Sequence, residues 1–243
     1  MIHPVDFLLL FALFVVMPIH SAREYRRYVA KIEAGEMPDR PLLYRKTMAS
    51  MWVMLAVLTA IWWFLERSAD SLGFVSPSGA GFWIAAAVVL AGAAYLVFAW
   101  IKCKQLDDEE RGKHREALGK LVHFLPQEDK ELRVFFSLSA TAGIVEEIIY
   151  RGFLIWCLAL LMPLWIAVAA SSVAFGLAHT YQGASGVLRT GIAGLALGIL
   201  YVVSGSIWLP ILAHILADAL QGLSIRELFR DSGESNGVAD VPA

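Results

Sequence analysis

The chain has 243 residues, 58% of them hydrophobic and 17% charged, with a formal net charge of -2; its mean hydropathy is +0.62. That balance excludes an ordinary soluble domain, and near-neutrality leaves no electrostatic footprint for nucleic acid, which is not expected as a partner. Two cysteines, Cys103 and Cys157, form neither a disulfide framework nor a metal-ligand spacing.

The first apolar stretch, 5–20, is followed rather than preceded by basic residues, which marks a retained membrane span and not a cleaved signal peptide. Further apolar stretches lie at 48–65, 80–101, 134–162, 163–181, 187–204 and 206–222. Each approaches the roughly 20 residues that a helix needs to cross a hydrocarbon core. Lipid offers no partner for free backbone N–H and C=O groups, so each predicted span is helical. The expected fold class is all-α: a polytopic transmembrane helical bundle of about seven spans (six to eight), with its catalytic groups in the last four helices.

Four regions follow. Residues 1–101 hold three N-terminal spans and a basic loop at 21–46; 102–130 form a linker; 131–222 form the functional unit; 223–243 form a flexible tail. In the linker, a weak helical period through Leu118, Leu121, Val122 and Leu125, closed by Pro126, predicts a solvated or surface-lying helix. Basic residues crowd 21–46 (Arg23, Arg26, Arg27, Lys31, Arg40, Arg45, Lys46) and 102–133, whereas 66–79 has only Arg67. The orientation expected is N-terminus outside and C-terminus cytoplasmic, in a plasma membrane of bacterial type.

Ionisable groups inside spans are costly and are functional candidates by default. The stretch 143–151, GIVEEIIYR, places Glu147 and Arg151 one turn apart on one helical face, where they pair. Glu146, rotated by about 100°, needs a partner elsewhere. FGLAH brings His179 to the cytoplasmic end of the fifth span, and HILAD puts His214 and Asp218 on one face of the last. Pro210, four residues before His214, is expected to loosen that helix, and Arg189 to snorkel into headgroups without a role in the site.

A carboxylate and two imidazoles on one cavity suit water activation: the carboxylate takes a proton from water, and imidazoles orient that water or stabilise an oxyanion. Ser171 and Ser172 lie about two turns from His179, and no GxSxG elbow exists. A zinc site made by Glu146, His179 and His214 is the alternative, though no HExxH occurs. As structural readings, Glu147–Arg151 and His214–Asp218 are two intramembrane braces.

EEIIYR, FGLAH and HILAD, in that order, resemble the EExxxR, FxxxH and HxxxN or HxxxD motifs of the CAAX-protease and bacteriocin-processing family, the type II CAAX prenyl endopeptidase relatives also called Abi proteins. The resemblance covers about 130–222. It implies an intramembrane endopeptidase of glutamic type that cuts near the C-terminus of a membrane-associated protein or peptide. Glu146 would be the general base, His179 a holder of the water, His214 with Asp218 the oxyanion pair, and Glu147 with Arg151 a supporting ion pair. One departure is Asp218, where the eukaryotic prenyl-protein enzymes have Asn; an ionised Asp donates no hydrogen bond. No cofactor is favoured, with zinc the alternative. A non-catalytic immunity or scaffold protein and a proton-coupled transporter are the rival classes.

Overall fold

A computed structural model describes residues 2–36 and 39–230, apart from the side chain of Lys120. The helices in chain order are α1 (Pro4–Glu33, with a π-helical turn at Ala12–Val16), α2 (Arg40–Phe64), α3 (Gly79–Lys104) and α4 (Asp108–Leu118). Next comes α5, in which Asp129–Glu147 runs through the π-helical Ile148–Leu154 into Ile155–Ala159. Then follow α6 (Leu164–Ala178), α7 (Gly183–Ser204) and α8 (Trp208–Leu228). Among the described residues there is no strand.

The protein is a helical membrane bundle. Five helices are long and apolar enough to cross a membrane: α1, α2, α3, α8, and α7 together with the 3-10 turn Thr180–Gln182 that leads into it. α5 carries Glu146, Glu147 and Arg151 within its apolar stretch, and α6 has only 15 residues. The polarity is inverted relative to a soluble protein. Trp63 and Phe64 face outward at 84% and 82% exposure, while Glu147, Arg151 and Asp6 are sealed inside.

Ion pairs and hydrogen bonds at the helix ends fix the alternation of the spans. Arg67, just past α2, grips Asp6 of α1 with two bonds, 2.8 and 2.7 Å, and stacks against Trp62 and Trp156. The backbone N–H of Ile207 donates to the Gly73 carbonyl at 2.9 Å, so α8 begins on the same side. At the opposite face, Arg40 pairs with Glu131 at 3.1 Å and Arg226 with Asp129 at 2.7 Å. The starts of α2 and α5 and the end of α8 therefore share one side.

Three local expectations need correction. The linker is not one helix: α4 ends where Gly119 adopts φ +52, a conformation suited to glycine. A 3-10 turn over Gly119–His123 follows, and the chain is then pinned into the bundle rather than solvated. Tyr28 and Arg40 donate to the His123 carbonyl, Tyr44 donates to that of Phe124, and Pro126 is fully buried. Pro210 falls in the first turn of α8, where a backbone N–H has no intrahelical acceptor, so the ring loosens nothing. Finally, α8 carries helix to Leu228, six residues into the segment expected to be a flexible tail; residues 231–243 of that segment lie outside the described residues.

The core wraps α5. Val145, Ile149, Phe153 and Leu154 pack with Leu55, Leu58 and Trp62 of α2 and with Ala174 and Phe175 of α6. Close approach of α5 to α8 depends on Gly143, where an added Cβ would collide with the Ile215 side chain and stand 3.2 Å from the Ile211 carbonyl oxygen. His214 is the residue next to Ile215. Gly143→Ala should therefore lower stability by about 1–3 kcal/mol, as overpacking does. Thermal unfolding in detergent checks this, and an unchanged midpoint contradicts the close packing.

Candidate active site

The site forms where α5, α6, α7 and α8 meet. Glu147 is fully buried, and its Oε1 accepts from Arg151 Nη1 at 2.8 Å, the i,i+4 bond expected from the sequence. The same oxygen accepts from His214 Nδ1 of α8 at 2.7 Å. Arg151 also donates to the Gly194 carbonyl of α7 at 3.0 Å, and its guanidinium lies 4.4 Å from the centre of the Phe175 ring of α6. The pair read as self-sufficient on one helix is thus a junction of four. Gly194 makes this geometry possible, since a Cβ there would stand 2.9 Å from Phe175 and 3.3 Å from Arg151 Nη2.

The bond to Glu147 sets the tautomer of His214. A carboxylate accepts only, so Nδ1 carries the hydrogen and Nε2 faces the other way. There Nε2 stands 3.8 Å from Glu146 Oε2 and 3.7 Å from Asp218 Oδ2. Both separations exceed a hydrogen bond. His214 and Asp218 are one turn apart, as predicted, but they are not directly bonded to each other.

His179 caps the C-terminal end of α6. Its Nδ1 bonds the Phe175 carbonyl at 2.8 Å, which satisfies one of the helix's orphan acceptors and leaves Nε2 available. The Thr180 hydroxyl donates to the Pro18 carbonyl at 3.3 Å, so His179 lies level with the point where the apolar half of α1 gives way to its charged half. Phe175 stands between the two imidazoles, 4.9 Å from the His179 ring and 6.0 Å from that of His214. Asp218 is within electrostatic range of His214, Glu146, His179 and Glu147. On the basic side, Tyr181 stacks 5.7 Å from His179 and joins Phe124 and Tyr25 in an aromatic roof.

Burial grades across the site. The Glu147 and Arg151 side chains are 0% and 1% exposed and His214 is 9%, whereas Glu146 is 17% and Asp218 34%. One end is dry and fully engaged in charge pairing, and the other is open. Of the buried polar atoms without a hydrogen-bond partner among the described residues, two lie at the site, Glu147 Oε2 and the Tyr150 hydroxyl. Sequence spacing gave no hint of the Glu147–His214 bond, which joins residues 67 apart, or of the roof over His179. Among the described residues, no group of three or more His, Cys, Asp or Glu side chains is placed to hold a metal ion. Glu146, His179 and His214 do not form such a set here. Arg189 is exposed on α7.

Residues 129–220 match the family model described as type II CAAX prenyl endopeptidase Rce1-like. The matched stretch contains α5 to α8 up to Leu220 with all three motifs, and the likeness is to that family's description over this part of the chain. No curated protein and no solved structure matches the chain.

The burial gradient separates the two glutamates energetically. Arg151→Ala leaves the Glu147 charge buried with one partner fewer and should cost about 3–5 kcal/mol. Glu146→Gln, at the open end, should change stability by less than about 0.5 kcal/mol. Unfolding midpoints of the two variants in one detergent check this difference.

Proposed function

We propose that the protein hydrolyses a peptide bond near the C-terminus of a membrane-associated protein, with Glu146 activating water. The observation that carries this reading is the unequal engagement of adjacent carboxylates. Glu147 is sealed and bonded to both Arg151 and His214, while Glu146 is partly accessible beside His214 Nε2. Only the second is in a position to exchange protons with a substrate.

A water held between Glu146 and His179 Nε2 attacks the scissile carbonyl and gives its proton to Glu146. The carbonyl oxygen takes the negative charge, and His214 stabilises it through Nε2 when that nitrogen carries a proton. Glu147 fixes the His214 ring and offsets its charge. Glu146 then returns the proton to the amine as the C–N bond breaks, releasing a carboxylate and an amine. Asp218 accepts from groups at the open end, a role that suits an acceptor where a relative has Asn.

The basic side, carrying the 21–46 loop and the linker, is proposed to be cytoplasmic. His179 and its roof lie toward that side, so the substrate enters from it. The glutamic reading is preferred to a zinc enzyme because the donor groups are not gathered as a ligand set.

One comparison tests the whole reading. Membrane proteins from cells expressing the wild type or Glu146→Gln are mapped for new C-termini, which should appear on cytoplasmic segments with the wild type and vanish with the variant. Purified wild type should retain turnover in chelator. C-termini that persist with Glu146→Gln refute the role of Glu146, and chelator-sensitive activity restored by zinc refutes the glutamic mechanism.

A further inference from the structure

The proposed mechanism leaves one buried polar group without a use. Tyr150 sits in the π-helical stretch of α5, directly before Arg151, and is 2% exposed. Its hydroxyl is sealed from solvent and has no hydrogen-bond partner among the described residues. A buried hydroxyl left unpaired carries its full desolvation penalty, and phenylalanine would fill the same space without it.

Tyr150 is held at its ring and at its backbone. It packs edge-on against Phe175 at 5.0 Å with an interplanar angle of 75°, and its backbone carbonyl accepts from Ser171 Oγ at 2.7 Å. Phe175 is also the ring between His179 and His214, so the phenol borders the site. Glu146 precedes Tyr150 by four residues on the same continuous helix, about one turn away, and Arg151 is its chain neighbour. A phenol O–H needs an acceptor, and guanidinium has none; Glu147 is fixed by Arg151 and His214, so the carboxylate free to turn toward the phenol is Glu146. Glu146, at 17% exposure, has room to move, whereas the tyrosine does not.

We propose that Tyr150 is a positioning residue for the peptidase reaction: with a peptide in the site, its hydroxyl donates to one oxygen of Glu146 and leaves the other oxygen aimed at the attacking water. This rests on Glu146 being the base. Pairing of the hydroxyl only in the reacting complex explains why it is unpaired in the resting protein and why its contribution falls on the rate rather than on substrate affinity.

The test uses a quenched fluorogenic peptide spanning a C-terminus mapped in the comparison above, with purified full-length protein in detergent. Tyr150→Phe should lower kcat about tenfold with KM within about twofold, the pattern of an interaction made in the transition state. Its unfolding midpoint should be unchanged or higher. Ser171→Ala, which removes the neighbouring packing bond but no group of the site, should lower the midpoint and leave kcat as in the wild type. A wild-type kcat in Tyr150→Phe overturns the proposal, as does an equal fall of kcat in Ser171→Ala. Glu146→Gln is run alongside: its turnover, if retained, defeats the underlying peptidase reading, whereas its loss with an unaffected Tyr150→Phe defeats the tyrosine's role alone.

Discussion

One carboxylate oxygen, Glu147 Oε1, accepts from Arg151 at 2.8 Å and from His214 at 2.7 Å, in a place where the glutamate is fully buried. Removing a carboxylate and a guanidinium from water costs several kcal/mol per ion, and their mutual attraction offsets this only when the geometry is good and the remaining donors are satisfied. Here the remaining guanidinium donor reaches the Gly194 carbonyl, and the cation lies on Phe175. Four helices are thereby held in one register. The partially accessible groups, Glu146 and Asp218, are positioned by that dry junction rather than by bonds of their own.

Small residues let the junction close. Gly143 admits the backbone of α8, Gly194 admits Phe175 and Arg151, and a Cβ at Gly198 would stand 2.9 Å from Val168 of α6. Between helices in lipid there is little hydrophobic drive, so close van der Waals contact and a few polar bonds do most of the holding. A second buried pair, Asp6 with Arg67, ties the opposite end of the bundle beneath two tryptophans. Charge pairs at two depths thus fix a bundle whose spans turn large apolar side chains outward.

The apolar segments were legible because hydrophobic length is a local property. The stretches at 48–65, 80–101 and 187–204 correspond to α2, α3 and α7, and the three motifs fall on α5, α6 and α8 as expected. The Glu147–Arg151 bond was legible for the same reason, since i,i+4 spacing on a helix is enough to specify it. What could not be read were the partners supplied by distant segments. Arg67 looked like the lone cation of its loop, yet it belongs with Asp6, 61 residues earlier. Helical spacing pairs His214 with Asp218, whereas its hydrogen bond goes to Glu147. Glycine misled in the linker: the period through Leu118 and Leu125 ignored Gly119, whose positive φ ends the helix and turns the chain inward.

Arg151 and His214 share Glu147 and should therefore be energetically coupled. A double-mutant cycle of Arg151→Met and His214→Phe, read by reversible unfolding in detergent, measures that coupling. An interaction free energy of about 1 kcal/mol or more is expected for groups meeting on one buried acceptor; additivity within about 0.3–0.5 kcal/mol would show that they do not share it.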